Sequence, residues 1–211
     1  MSQQDFRIVG VGASAGGQDA LKSFFSQIPA DVNAAFVVVT HLFRDFKSAL
    51  PSIISRFTSL TVSRVENRTR LQPGNVYVMP EDVLMKIDSG VLMLVPRPDN
   101  NHVNNSIDVF FESLAEDQRS NAIAVVLSGM GSDGSDGALA VFKAGGDVLV
   151  QDPGSTKFNS MPIATILKDH PDFILPPAEL GAKLTKMISL KPSDPRRSPS
   201  FQQEGRINLN S

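Results

Sequence analysis

A serine stands among small residues near the start of the chain, in Gly10-Val11-Gly12-Ala13-Ser14-Ala15-Gly16-Gly17. Gly12 to Gly16 fits the pattern G-x-S-x-G. In that turn small neighbours let the chain double back, and a strained serine hydroxyl is left exposed where a helix begins. Unpaired amides and the helix dipole favour negative charge there, so a developing oxyanion would be stabilised. Gly10 to Ala15 also fits the looser dinucleotide pattern G-x-G-x-x-A. That reading expects an acid near the end of the second strand, to hold a ribose hydroxyl. Val39-Thr40-His41-Leu42-Phe43 supplies none. A tight strand–helix turn without chemistry fits as well, and on the pattern alone the three readings weigh about equally.

A serine hydroxyl is barely ionised at neutral pH and needs a base. The chain has three histidines. His102 falls in an Asn-rich stretch and His170 in the turn-like Asp169-His170-Pro171-Asp172. His41 closes a Val-rich strand expected beside the first through a right-handed crossover. Ser14 and His41 would then share the carboxyl edge of the sheet, where open α/β sheets hold their sites. A satisfied, partly buried histidine is the commoner fate of a lone one. The carboxylate that fixes an imidazole tautomer is offered by Asp133, in Leu127-Ser128-Gly129-Met130-Gly131-Ser132-Asp133-Gly134. This stretch follows another apolar strand. Its glycines let backbone approach a substrate, and the Met130 amide could donate to an oxyanion. Asp133 and Asp136 also suit turn and helix-cap roles. A calcium loop is disfavoured, because the D-x-D-x-D-G spacing is absent. The order Ser, His, Asp is not that of the α/β-hydrolases, but a triad is defined by geometry rather than order.

The elements that must position these residues alternate. Strands are expected at 7–11, 35–40, 122–127 and from 147. Helical spacing joins Leu21, Phe24, Phe25 and Ile28; then Leu50, Ile53, Ile54 and Phe57; then Ile107, Phe110, Phe111 and Leu114. Ser106 is the expected N-cap of that third helix, and Asp108 suits its first turn. Ala138, Val141 and Phe142 mark another helix, and Leu180, Leu184, Met187 and Ile188 a last one. Such alternation predicts an α/β domain: a doubly wound, mostly parallel sheet covered on both faces. Residues 76–95 differ, with three short strand-like pieces separated by turns at Pro80-Glu81-Asp82 and Asp88-Ser89-Gly90. They are expected to form a small antiparallel hairpin appendage. Met79, Met85 and Met93 are expected to pack within it.

With 211 residues the chain suits one domain with a large core. It has no cysteine, which excludes disulfides, thiolate metal sites and a cysteine nucleophile. The formal net charge of -2 argues against nucleic acid as the main partner. Arg64, Arg68 and Arg70 are best read as a solvated face. Apolar runs such as residues 34–39 are far too short to span a bilayer, and residues 1–5 carry no signal-peptide pattern. A cytoplasmic protein without membrane insertion is expected. The domain is expected over residues 1–190. The Pro- and Ser-rich residues 191–211 are expected to be a polar linker or disordered tail.

Taken in order, Gly12-Ala13-Ser14-Ala15-Gly16-Gly17, Val39-Thr40-His41 and the run from Leu127 to Gly134 resemble the catalytic domain of CheB-type protein-glutamate methylesterases. So do Pro73 to Pro80, Ser106 to Ala115, and the stretches Ala144-Gly145-Gly146 and Gln151-Asp152-Pro153. The resemblance covers about residues 6–189. It implies hydrolysis of γ-glutamyl methyl esters on the cytoplasmic helices of methyl-accepting chemoreceptors, with glutamine deamidation in some members. It implies Ser14 as nucleophile, His41 as general acid/base and Asp133 as orienting acid, with Met130, Ala15 and Gly131 at oxyanion or substrate-binding positions. It implies no metal and no organic cofactor. Many members have Thr after the serine, where Ala15 stands here, so any hydroxyl contact from that position is lost. Typical members also carry an N-terminal receiver domain, whereas this chain starts almost at the first catalytic strand. It is therefore most like the esterase module of methylesterase–methyltransferase fusion proteins, and a fused or separate methyltransferase is an expected partner. The alternatives are a module that binds receptor or kinase without turnover, and a nucleotide-binding α/β domain.

Overall fold

A computed structural model describes residues 6–40, 48–97, 105–168 and 171–189. His41, His102, His170 and the expected tail at 191–211 lie outside the described residues. In chain order the elements are β1 (Arg7–Ala13), α1 (Gly17–Phe25), β2 (Ala34–Thr40), α2 (Leu50–Ile54), β3 (Thr61–Arg64), β4 (Thr69–Arg70), β5 (Asn75–Val78), β6 (Val83–Asp88) and β7 (Val91–Pro96). Then follow α3 (Ser106–Gln118), β8 (Ala122–Val126), α4 (Ser135–Lys143), β9 (Asp147–Gln151), α5 (Ser160–Lys168), β10 (Phe173–Leu175) and α6 (Pro177–Ser189).

Among the described residues, seven strands form one sheet in the order β10-β9-β8-β1-β2-β5-β3. Every pairing in it is parallel. From β1 the chain winds one way through β2, then returns to place β8, β9 and β10 on the other side. The strand order reverses between β1 and β8, and the carboxyl ends at such a switch point are where open α/β sheets hold ligands. Apolar side chains fill both faces. Val9, Val11, Phe36 and Val38 meet α1, α2 and α6 on one face. Ile8, Val37, Val39 and Val126 meet α3 and α4 on the other, together with the small sheet.

The expected appendage over residues 76–95 divides in two. Its first piece is β5, which enters the parallel sheet between β2 and β3. Val76, Tyr77 and Val78 are all buried, as a strand covered on both faces requires. β6 and β7 form the antiparallel hairpin, and β4 adds to β7. Along the second half of β6 burial alternates, as in a strand with one wet face. Met79 and Met85 are buried, in keeping with packing roles.

Gly10 and Gly12 do a job in β1 that their motif does not advertise. A Cβ on Gly10 would lie 2.8 Å from Cε1 of Phe111, and one on Gly12 would lie 2.6 Å from Cγ2 of Ile107. The missing side chains let α3 settle directly on β1. Ile107, Phe110, Phe111 and Leu114 are all fully buried there. Adding one methyl group at such a contact forces the neighbours off their rotamers. Gly12→Ala should therefore destabilise the fold by about 1–3 kcal/mol, read as a lowered urea midpoint. An unchanged midpoint would show that α3 yields freely.

Candidate active site

Ser14 is the first residue beyond β1 and is half-buried. Its amide donates to the Ser128 carbonyl at 2.9 Å, across the switch point. Its carbonyl accepts from Gly17 at 2.9 Å, closing the turn into α1. The left-handed conformation falls on Gly16, at φ 72°, which is the N-cap of α1. Glycine is needed there both for that φ and because a Cβ would lie 2.7 Å from the Phe158 ring. The strained serine expected from G-x-S-x-G is not found. The non-glycine residues with positive φ among those described are Arg68, Asp82, Ser89 and Arg119. The left-handed turn is taken by Gly16 two residues later, and Ser14 is not among the residues with positive φ.

Ser128 and Gly129 lie beside Ser14. A Cβ on Gly129 would lie 3.0 Å from the Ser14 Cβ. The Gly129 amide donates to the Phe158 carbonyl at 2.9 Å, and its carbonyl accepts from Met161 at 3.1 Å. The Ser128 amide is held by Oε1 of Gln151 at 2.8 Å, and Nε2 of Gln151 donates to Oγ of Ser155 at 3.0 Å. Gln151 is buried at the end of apolar β9. Its role escaped the sequence reading, although a lone polar residue closing the run Val148-Leu149-Val150 was the available signal. Met130 is 61% exposed, Gly131 and Ser132 are exposed, and Ala15 is half-buried. The Met130 side chain thus points away from the core, and what its position can offer chemistry is backbone.

Asp133 is 7% exposed. Its Oδ2 accepts from the Ile107 amide at 3.0 Å and its Oδ1 from the Asp108 amide at 2.9 Å. It therefore caps α3 from a distant part of the chain. Ser106, the expected N-cap, is instead the first helical residue, and the N-cap position is Asn105, which makes no side-chain capping bond. A carboxylate has about four lone-pair directions, so two amides still leave Asp133 able to accept from a base. Ser14 and the Asp133-bearing loop are thus brought to one edge. Thr40, the last residue of β2, stands level with Ala13 in the sheet.

Asp108 adds a second carboxyl beside the first. Its Oδ1 accepts from the Gly137 amide at 2.8 Å. Burial pushes its carboxyl up to about 6, against the pull of the Gly137 amide, and the adjacent Asp133 and then Asp136 add to the rise. A raised carboxyl favours the fold fully below the unfolded value near ~4 and loses that contribution as pH climbs through about 6. Asp108→Asn cannot ionise. It should melt higher than the parent protein at pH 8, with the gain fading as pH falls below about 6. A gain that stays constant from pH 5 to pH 8 would contradict this ionisation.

No cluster of metal-binding side chains occurs among the described residues. Residues 9–184 match the CheB methylesterase family. The chain is 32% identical over 183 residues to a protein-glutamate methylesterase/protein-glutamine glutaminase of Maricaulis maris, covering 85% of this chain and 46% of that protein. It is also 32% identical over 186 residues to the protein of that name from Thermotoga maritima, covering 86% of this chain and 54% of that one. The chain spans about half the length of these curated relatives. The crystal structure of the Thermotoga maritima CheB methylesterase catalytic domain superposes with a TM-score of 0.80 at 31% identity, covering 87% of this chain and 99% of that one. Fold, motif order and these matches agree: the chain belongs to the CheB methylesterase family.

Proposed function

We propose that this domain hydrolyses γ-glutamyl methyl esters on methyl-accepting chemoreceptors, with Ser14 as nucleophile, His41 as general acid/base and Asp133 as the acid that orients it. The observation that carries this reading is the bond from the Ser14 amide to Ser128. It fastens the serine to the loop bearing Met130 and Asp133, at the edge where β2 also ends. Ser14 Oγ attacks the ester carbonyl carbon while His41 takes its proton. Backbone donors around Met130 and Ala15 receive the oxyanion, with Gly131 keeping the approach open. Methanol leaves with the proton from His41. Water, deprotonated by His41, then attacks the acyl-serine, freeing the glutamate side chain and regenerating Ser14.

The same steps with ammonia as leaving group would deamidate a receptor glutamine, in line with the double name of the relatives. No step calls for a metal or organic cofactor. No helix among the described residues is long and apolar enough to cross a membrane. That suits an enzyme acting from the cytoplasm on receptor helices. On this reading the catalytic unit occupies residues 1–190, and 191–211 form a linker toward a methyltransferase partner.

Methanol release from methylated receptor cytoplasmic fragments tests the proposal. Ser14→Ala should lower turnover by about 10⁴-fold or more and leave the melting temperature nearly unchanged. Equal release by both proteins would remove Ser14 from the mechanism.

A further inference from the structure

α3 and α4 meet at their N-termini, joined by two carboxylates that cross in opposite directions. Asp133, in the loop before α4, takes the amides of Ile107 and Asp108 in the first turn of α3. Asp108, in that same turn, takes the amide of Gly137 in the first turn of α4. Gly137 makes the approach possible. A Cβ there would lie 2.5 Å from Cβ of Phe111 and 2.9 Å from the Asp108 carbonyl oxygen. The neighbouring Asp133 carboxylate also adds to the rise of the Asp108 carboxyl.

The loop between β8 and α4 is therefore anchored twice. Ser14, Gln151 and Phe158 hold its beginning at Ser128 and Gly129. The crossed carboxylates hold its end. Met130, Gly131 and Ser132 stand exposed between the two anchors.

We infer that Asp108 is a positioning residue for catalysis: by tying α3 to Gly137 of α4 it closes the clamp that fixes the Asp133 carboxylate relative to Ser14. This inference rests on the role of Asp133 proposed above. An acid in a first turn can serve the amides of its own helix, yet Asp108 reaches to another helix. There it lies against a second carboxylate, in surroundings that oppose its ionisation. Local rules broken in this way are expected where a site is held in place. The groups that face Asp108 are Asp133 from the loop and Asp136 from α4, itself paired with Lys168 of α5, with Glu112 one turn further along α3.

The test compares Asp108→Ala, Asp108→Asn and Ser14→Ala in the full chain. Methanol release from methylated receptor fragments gives kcat and KM per folded molecule from pH 5 to pH 8. Asp108→Ala strands the Gly137 amide and opens the clamp. Its kcat should fall by ~10–100-fold, as for a misplacement of about 1 Å, with KM within about twofold. Asn keeps an oxygen for Gly137, so Asp108→Asn should recover kcat at pH 8 to within about threefold of the parent. The inference is overturned if Asp108→Ala retains parental kcat per folded molecule, or if Asn rescues no better than Ala. Should the Ala variant fail to fold, Asp108→Ser, whose side chain is one atom shorter and falls short of Gly137, is read in its place, and parental kcat per folded molecule in it overturns the inference. If Ser14→Ala is as active as the parent, the esterase reading itself fails. If Ser14→Ala is inactive while Asp108→Ala is unimpaired, the inference alone fails.

Discussion

The contact on which the rest depends is the direct seating of α3 on β1. Two positions of β1, Gly10 and Gly12, carry no side chain, and the apolar face of α3 fills the space they leave. Interiors are close-packed, so a helix cannot hover a methyl group higher without opening a void or straining its neighbours. With the depth of α3 set, the position of its N-terminus is set as well. That N-terminus lies near the switch point between β1 and β8, and its unpaired amides must find acceptors there. Asp133 meets this need. The same packing that builds the core thus delivers a buried carboxylate to the carboxyl edge of the sheet.

Capping α3 and orienting a base are compatible tasks for Asp133. The two amide bonds lie at the positive end of a helix dipole, where an acidic side chain is a favourable cap. A cap of this kind is worth about 0.5–2 kcal/mol. Because both oxygens are engaged, the carboxylate plane cannot rotate, and its remaining lone pairs point in fixed directions. An orienting acid requires that fixity. Stability and geometry are here two readings of one pair of bonds.

Much of this was legible in the sequence. Alternating β-rich and helical periods gave the doubly wound sheet, since strands covered on both faces must be continuously apolar, as residues 35–39 and 122–127 are. The placement of Ser14 and Asp133 at one edge followed from counting strands. Other features were hidden because they depend on contacts between distant segments. β5 and the hairpin β6–β7 are adjacent in sequence and similar in composition. What separates them is whether the second face of the strand is covered. Ser106 looks like an N-cap by residue type, yet a carboxylate 27 positions away at Asp133 takes the amides. Gly10 and Gly12 fit two chemical motifs, and their steric role shows only against Ile107 and Phe111.

The missing strain at Ser14 bears on how the proposed nucleophile is held. In a sharp elbow the backbone itself forces the hydroxyl outward, and the strain must be supported by the surrounding fold. Here the Ser14 backbone is held by hydrogen bonds running across the sheet: the Ser128 amide donates to Gln151, and the Ser14 amide donates to the Ser128 carbonyl. Three neighbouring strands, β9, β8 and β1, are thereby locked in register at their carboxyl ends. A loop fastened at both ends can leave its middle small and open. Met130, Gly131 and Ser132 are exposed, and a Cβ on Gly131 would meet nothing within 4 Å. An open rim of that kind suits a long, flexible side chain presented by a protein surface, which must bring its terminal ester to Ser14 without the backbone that carries it having to enter. The proposed γ-glutamyl ester has that reach.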